Sequence, residues 1–224
     1  MEKTKINFQE RKMTKKILFQ GDSITDCGRS REDIAGFNSF GVSPGYPGMV
    51  AADLWSKYPQ EYEVVNRGIS GNRIVDLYAR WKADCLNLKP DILSILIGVN
   101  DTWHEMNYGN GVEPERYDRF YRMLLDWSRK SNPDVKFILL EPFVLNFGFI
   151  TSEWLDEIKE RQEIVRKIAA DYNAIFVPLQ EKISAAADMA RDPKMVLGDG
   201  VHPTIYGHQL IADEYLKCAG ELFK

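Results

Sequence analysis

The chain has 224 residues, is 44% hydrophobic and carries a formal charge of −4 at pH 7. That length supports a sizeable core in one domain, and the acidic balance excludes the broad basic surface that a nucleic-acid partner requires. No stretch reaches the roughly 18 uninterrupted apolar residues of a membrane span, so no membrane partner is expected either.

Residues 1–12 are charged, precede Met13 and hold no apolar core of the kind a secretory leader needs, so they are expected to form an N-terminal arm or extension. Residues 13–224 are expected to form a single domain, since no repeat, low-complexity tract or Gly/Ser linker interrupts them. Cys27, Cys85 and Cys218 are odd in number and widely spaced. That pattern suits neither a disulfide framework nor a zinc site, and reduced thiols imply a cytoplasmic location.

In chain order, residues 16–20 form the first short apolar run and lead into Gly21-Asp22-Ser23. Helical spacing follows over 47–57, and a strand over 62–66 runs into Asn66–Asn72. A helix over 73–87 precedes a strand over 91–97, which ends at Gly98-Val99-Asn100-Asp101, and His104 is placed in the loop beyond it. A helix over 114–130, a strand over 135–140, a helix over 152–171 and a strand over 174–177 continue the alternation. A shorter helix over 179–190 and a closing helix over 204–222 complete it. This order predicts an α/β fold, a three-layer α/β/α sandwich with a five-stranded parallel sheet and right-handed crossovers.

In a parallel sheet the carboxyl ends of all strands share one edge, so the segments after the first three strands should converge there. Ser23 is the candidate nucleophile. Its hydroxyl needs an imidazole to take the proton and a third group to fix the imidazole's tautomer. His104 and His202 each have an aspartate three places ahead, Asp101 and Asp199, and of the two only His202 is followed by a proline that keeps it in extended or turn backbone. His202 is therefore the candidate base, with Asp199 orienting it. His208 is assigned a structural role and His104 a place in the pocket wall or on the surface. Gly21 suits a close backbone approach or positive φ before Ser23, and Pro203 restricts His202 to extended or turn backbone, so neither Ser23 nor His202 need lie in a helix.

An acyl-enzyme route needs hydrogen-bond donors aimed at the developing oxyanion. The backbone N–H groups of Ser23 and Gly71 and the side-chain amide of Asn100 are the candidates. Asp22, Trp103, Phe143 and Val201 are the candidate substrate-pocket residues, while Asp22, Asp26 and Asp101 read as loop-ordering carboxylates rather than catalytic ones. Tyr108, Phe147, Phe149 and Trp154 add aromatic faces suited to sugar rings or to core packing. No His-Glu-x-x-His and no Cys/His cluster is present, so neither a metal site nor a cofactor is expected.

Taken together, Gly21-Asp22-Ser23-Ile24, Gly71, Gly98-x-Asn100-Asp101 and Asp199-x-x-His202-Pro203 resemble the GDSL/SGNH hydrolase family, with Ser23, Gly71, Asn100 and His202 at its namesake positions. The blocks occur in family order from 21 to 203, and Ile24 stands where the family name has leucine. The resemblance implies a flavodoxin-like fold and metal-free ester hydrolysis through a Ser-His-Asp triad. The longer runs 21–29, 66–72 and 98–103 resemble intracellular bacterial acetylxylan esterases of this family. That implies removal of small acyl groups, acetyl above all, from a carbohydrate such as an acetylated xylo-oligosaccharide, and a homo-oligomeric assembly. Gly198 stands before Asp199 where a bulky aromatic is expected in such esterases, so one wall of the acyl pocket should differ. The alternatives are a lysophospholipase, thioesterase or arylesterase of the same family, or a glycan-binding module without turnover.

Overall fold

The computed structural model describes residues 14–31 and 39–224. The expected arm over residues 1–12 lies outside the described residues.

Alternating apolar side chains set the sheet. In β1 (Lys15–Gly21), Ile17 and Phe19 face one side and Leu18 the other, all three 0% exposed. β2 (Tyr62–Asn66), β3 (Ile92–Leu96), β4 (Lys136–Leu140) and β5 (Ile175–Val177) complete a parallel sheet in the order β2-β1-β3-β4-β5. Because both faces are covered, the inner strands read as continuous apolar runs rather than alternating ones. Each fully buried aliphatic or aromatic side chain contributes about 1.5–3 kcal/mol, so a one-residue register slip, which exchanges the two faces, is heavily disfavoured.

Two one-turn helices, α1 (Ser23–Asp26) and α2 (Ser39–Val42), follow β1, and α3 (Tyr46–Lys57) precedes β2. α4 (Ile74–Asp84) leads to β3, and α5 (Val99–Tyr108) and α6 (Pro114–Ser131) lie between β3 and β4. α7 (Ser152–Asp171) precedes β5, and α8 (Gln180–Ala190) and α9 (Ile205–Ala219) close the chain. α3, α8 and α9 pack on the face of Ile17 and Phe19; α4, α6 and the second half of α7 pack on that of Leu18. Termini follow local chemistry: α6 starts at Pro114 with Glu115 in its first turn and ends with Arg129 and Lys130, matching the helix dipole at both ends. Thr204 caps α9 by accepting from the Gly207 N–H at 3.2 Å.

Two expectations need correction. Residues 99–108 are helical, not a loop, so His104 and Asn100 both lie on α5. Ser23 is the first residue of α1, whose cap is the Asp22 carboxylate accepting from the Ile24 N–H at 3.0 Å. The sheet order places β1 between β2 and β3, so successive connections leave β1 in opposite directions. The crevice between the carboxyl ends of β1 and β3 is the place where such folds seat ligands. Ser23 follows one of these strands and Asn100 the other.

Candidate active site

Gly21 lets the chain turn sharply from β1 into Ser23. A Cβ there would lie 2.3 Å from both the Leu96 carbonyl oxygen and Thr25 Oγ1, so no larger residue fits. The 66–72 segment is fastened beside this turn. The Ile69 N–H donates to the Gly21 carbonyl at 3.0 Å, and Asn66 Nδ2 to the Thr25 carbonyl at 2.7 Å. Asp26 accepts from the Ser70 N–H at 3.0 Å and its hydroxyl at 2.9 Å, and also from Arg31. Gly71 thereby sits in an exposed turn whose preceding residues are bonded to Gly21 and Asp26, on either side of Ser23.

Asn100, 7% exposed, reaches the same turn: its Nδ2 donates to the Asn72 carbonyl at 3.2 Å. An amide nitrogen carries two hydrogens, so one donor remains beyond that bond. Asp101 accepts from the Ile74 N–H at 3.0 Å, tying the start of α4 to α5. Arg80 donates to Asn72 Oδ1 at 2.7 Å and to Gln20 Oε1 at 2.9 Å, so the turn is also held from below. The sequence carries no signal for Arg80, because its partners lie on other elements.

The segment after α8 brings the remaining groups. Gly198 N–H donates to the His202 carbonyl at 2.8 Å, and Leu197 and Pro203 form an isolated antiparallel bridge, closing a short loop over 198–202. Within it, Asp199 Oδ1 accepts from the backbone N–H groups of Val201, at 3.0 Å, and His202, at 2.8 Å. Asp199 Oδ2 lies 2.7 Å from His202 Nδ1, and His202 Nε2 lies 2.9 Å from Ser23 Oγ. A carboxylate only accepts, so Nδ1 carries the proton and Nε2 is left to accept from the Ser23 hydroxyl. Partial burial pushes the Asp199 carboxyl up, but the His202 backbone, the His202 ring and the Val201 N–H outweigh it and hold it below the usual carboxylate range. Asp199 therefore stays ionised facing the imidazole.

The other two histidines differ. His208 is 5% exposed, accepts from the Tyr46 N–H at Nδ1 and meets Cys27 Sγ through Nε2 at 3.3 Å; burial lowers it to about 4, so it is neutral and structural. His104 lies on α5 against Tyr108, with ring centroids 5.7 Å apart. Trp103 is half-buried, 6.1 Å from the His202 ring between centroids. Phe143 and Val201, by contrast, are 0% and 1% exposed, and Asp22 is 1% exposed. Tight packing leaves these three expected pocket residues no surface for a substrate. Gly198 is exposed, and a Cβ there would meet nothing nearer than the His202 carbonyl oxygen at 3.9 Å. Among the described residues, no group of three or more His, Cys, Asp or Glu is placed to share a metal ion.

A hydroxyl, an imidazole and a carboxylate in hydrogen-bonded order, at the switch point of a parallel sheet, form the constellation that serine hydrolases use. Residues 19–210 match the GDSL-like Lipase/Acylhydrolase family. An acetylxylan esterase of Geobacillus stearothermophilus is 36% identical over 209 residues, which are 92% of this chain and 94% of that one. A solved structure of an acetylxylan esterase from that organism, Axe2, superposes with a TM-score of 0.80 at 34% identity, covering 94% of this chain and 96% of the other. The structure of a GDSL-like lipase from Parabacteroides merdae superposes with a TM-score of 0.87 at 38% identity, covering 96% of this chain and 100% of that one. Axe2 variants replacing a serine and an aspartate are described as catalytic mutants, and another replaces a tryptophan directly before that aspartate. In this chain Gly198 directly precedes Asp199. The chain belongs to the GDSL-like lipase/acylhydrolase family and is a carboxylic ester hydrolase.

Proposed function

We propose that the protein is a serine esterase that removes small acyl groups, acetyl above all, from a carbohydrate such as an acetylated xylo-oligosaccharide. The observation that carries this reading is the unbroken Ser23–His202–Asp199 hydrogen-bond chain, with contacts of 2.9 and 2.7 Å. Its substrate half is supported by the likeness to the Geobacillus acetylxylan esterase.

In this mechanism His202 Nε2 takes the Ser23 proton as Oγ attacks the acyl carbonyl carbon. The charge that builds on the carbonyl oxygen is met by the N–H groups of Ser23 and Gly71 and the Asn100 amide. Ser23 heads α1, where backbone donors have no intrahelical acceptor. The imidazolium, stabilised by ionised Asp199, then gives its proton to the leaving sugar oxygen as the C–O bond breaks. A water attacks the acyl-enzyme by the same route, releasing acetate and restoring Ser23.

Acetate release from acetylated xylo-oligosaccharides is the test. The wild type should release acetate, prefer acetyl over octanoyl esters, and lose at least about 10³-fold in rate on Ser23→Ala with unchanged circular dichroism. A clear preference for octanoyl esters would replace the acetyl-sugar reading with a long-chain acyl one.

A further inference from the structure

In acyl transfer the two halves of the ester occupy different places. The leaving oxygen must come within hydrogen-bond reach of the imidazole that protonates it, so the alcohol half lies on the His202 side of Ser23. That side carries an aromatic surface. The Trp103 ring lies 6.1 Å from His202 at 59°, and Phe149 meets Trp103 edge-on, with centroids 4.8 Å apart at 71°. Trp154, 4% exposed, backs both rings at 5.5 and 6.2 Å.

Phe149 is the unusual member, because it is 46% exposed while its neighbours Ile150 and Leu145 are buried. Core packing does not account for an exposed phenyl ring on a loop. The loop is also fixed to the candidate catalytic segment: the Leu145 N–H donates to the Gly200 carbonyl at 2.9 Å, and Ile150 packs so closely on Gly200 that a Cβ there would lie 2.8 Å from Ile150 Cγ1, while the Ile150 N–H closes the loop on itself by donating to the Phe147 carbonyl at 3.2 Å. Phe149 is thus presented by backbone pinned to the loop that holds Asp199 and His202. A rigid, open aromatic face costs little ordering on binding and suits the apolar face of a six-membered ring.

From this we infer that Trp103 and Phe149 form the subsite for the leaving alcohol, and that Phe149 selects esters of ring-bearing alcohols such as a pyranose without influencing the acyl chain. The inference rests on the serine-esterase reading, in which His202 protonates the leaving oxygen. Phe149 acts on specificity and is not part of the acid–base machinery.

The experiment compares wild type, Phe149→Ala and Phe149→Tyr on four esters: ethyl acetate, ethyl hexanoate, cyclohexyl acetate and an acetylated methyl xyloside. Phe149→Ala should lower kcat/KM for the two ring esters by about three- to tenfold, the size of one aromatic contact. Ethyl acetate should change less than about twofold, the hexanoate-to-acetate ratio should hold, and Phe149→Tyr should restore the ring esters. Equal losses on ethyl and ring acetates, or an altered hexanoate-to-acetate ratio, would overturn the inference. Failure of the sugar reading shows separately, in the wild type, as turnover of cyclohexyl acetate without turnover of the xyloside. The melting temperature of Phe149→Ala should match the wild type, since the ring is half in solvent.

Discussion

At the scale of single residues, Asn100 keeps hydrogen-bonding capacity to spare and His208 keeps none. Asn100 donates one amide hydrogen to the Asn72 carbonyl at 3.2 Å, which fixes the amide plane and leaves the second hydrogen directed elsewhere. If that hydrogen meets the oxyanion, Asn100→Ala should reduce kcat by about 10²–10³ with KM little changed, because the contact strengthens only in the transition state. Steady-state kinetics on a single acetyl ester checks this; a kcat within threefold of wild type would remove Asn100 from the oxyanion hole. His208 shows the opposite design. Both of its ring nitrogens are engaged, by the Tyr46 N–H and Cys27 Sγ, so it has nothing to offer a substrate.

At the scale of elements, two connections bring the candidate triad together: the sharp β1–α1 turn and the loop closed by the Leu197–Pro203 bridge. The second is braced by the segment after β4. Gly200, at φ 96°, packs so closely that a Cβ would lie 2.8 Å from Ile150 Cγ1 and 3.0 Å from the Leu145 carbonyl oxygen. Gly200→Ala therefore adds both backbone strain and overlap, a cost of about 1–3 kcal/mol. At this chain length that lowers the melting temperature by about 2–4 °C per kcal/mol, and kcat should fall with it as His202 shifts. Differential scanning calorimetry beside an activity assay would show this; a variant equal to wild type in both would mean the brace is unimportant. The five strands were legible in the sequence because short apolar runs bounded by polar segments admit few other readings. Helix α5 was not, since its polar, asparagine-rich stretch has no long apolar stripe. The signals present were local: Gly98 and Gly109 at its two ends and Asp101 in its first turn. Ser23, Asp199 and His202 were legible as residue types in order, but Phe143 was misplaced, because an aromatic at a strand end reads alike whether it faces the core or a cleft. Arg80 was invisible, as its role exists only once β1 and the 66–72 segment are adjacent.

At the scale of the whole molecule, gathering strand ends also gathers buried carboxyls. Asp22 and Asp101 are each raised from the usual 3.8 to about 7, burial being the main cause, and the charge of Asp101 adds to the effect on Asp22. Asp22 Oδ2 has no hydrogen-bond partner, as suits a carboxyl that keeps its proton. For groups raised on folding, the native state binds more protons than the unfolded chain between the two values, so stability declines as pH rises from about 4 to about 7. Asp199, held low, acts in the opposite direction and withdraws its contribution only in stronger acid. Melting temperature should therefore fall between pH 5 and pH 8, and fall less in Asp22→Asn, which keeps the bond to the Ile24 N–H but has no charge to bury. A steeper decline in Asp22→Asn than in wild type would contradict the assignment.

In the mechanism proposed above, Ser23 Oγ, activated by His202, forms a covalent intermediate. Intact-protein mass spectrometry after treatment with a fluorophosphonate, followed by peptide mapping, reads that nucleophile out. One adduct per chain is expected, located on Ser23 and greatly slowed by His202→Ala. An active enzyme that takes no adduct, or takes it on another residue, would contradict it.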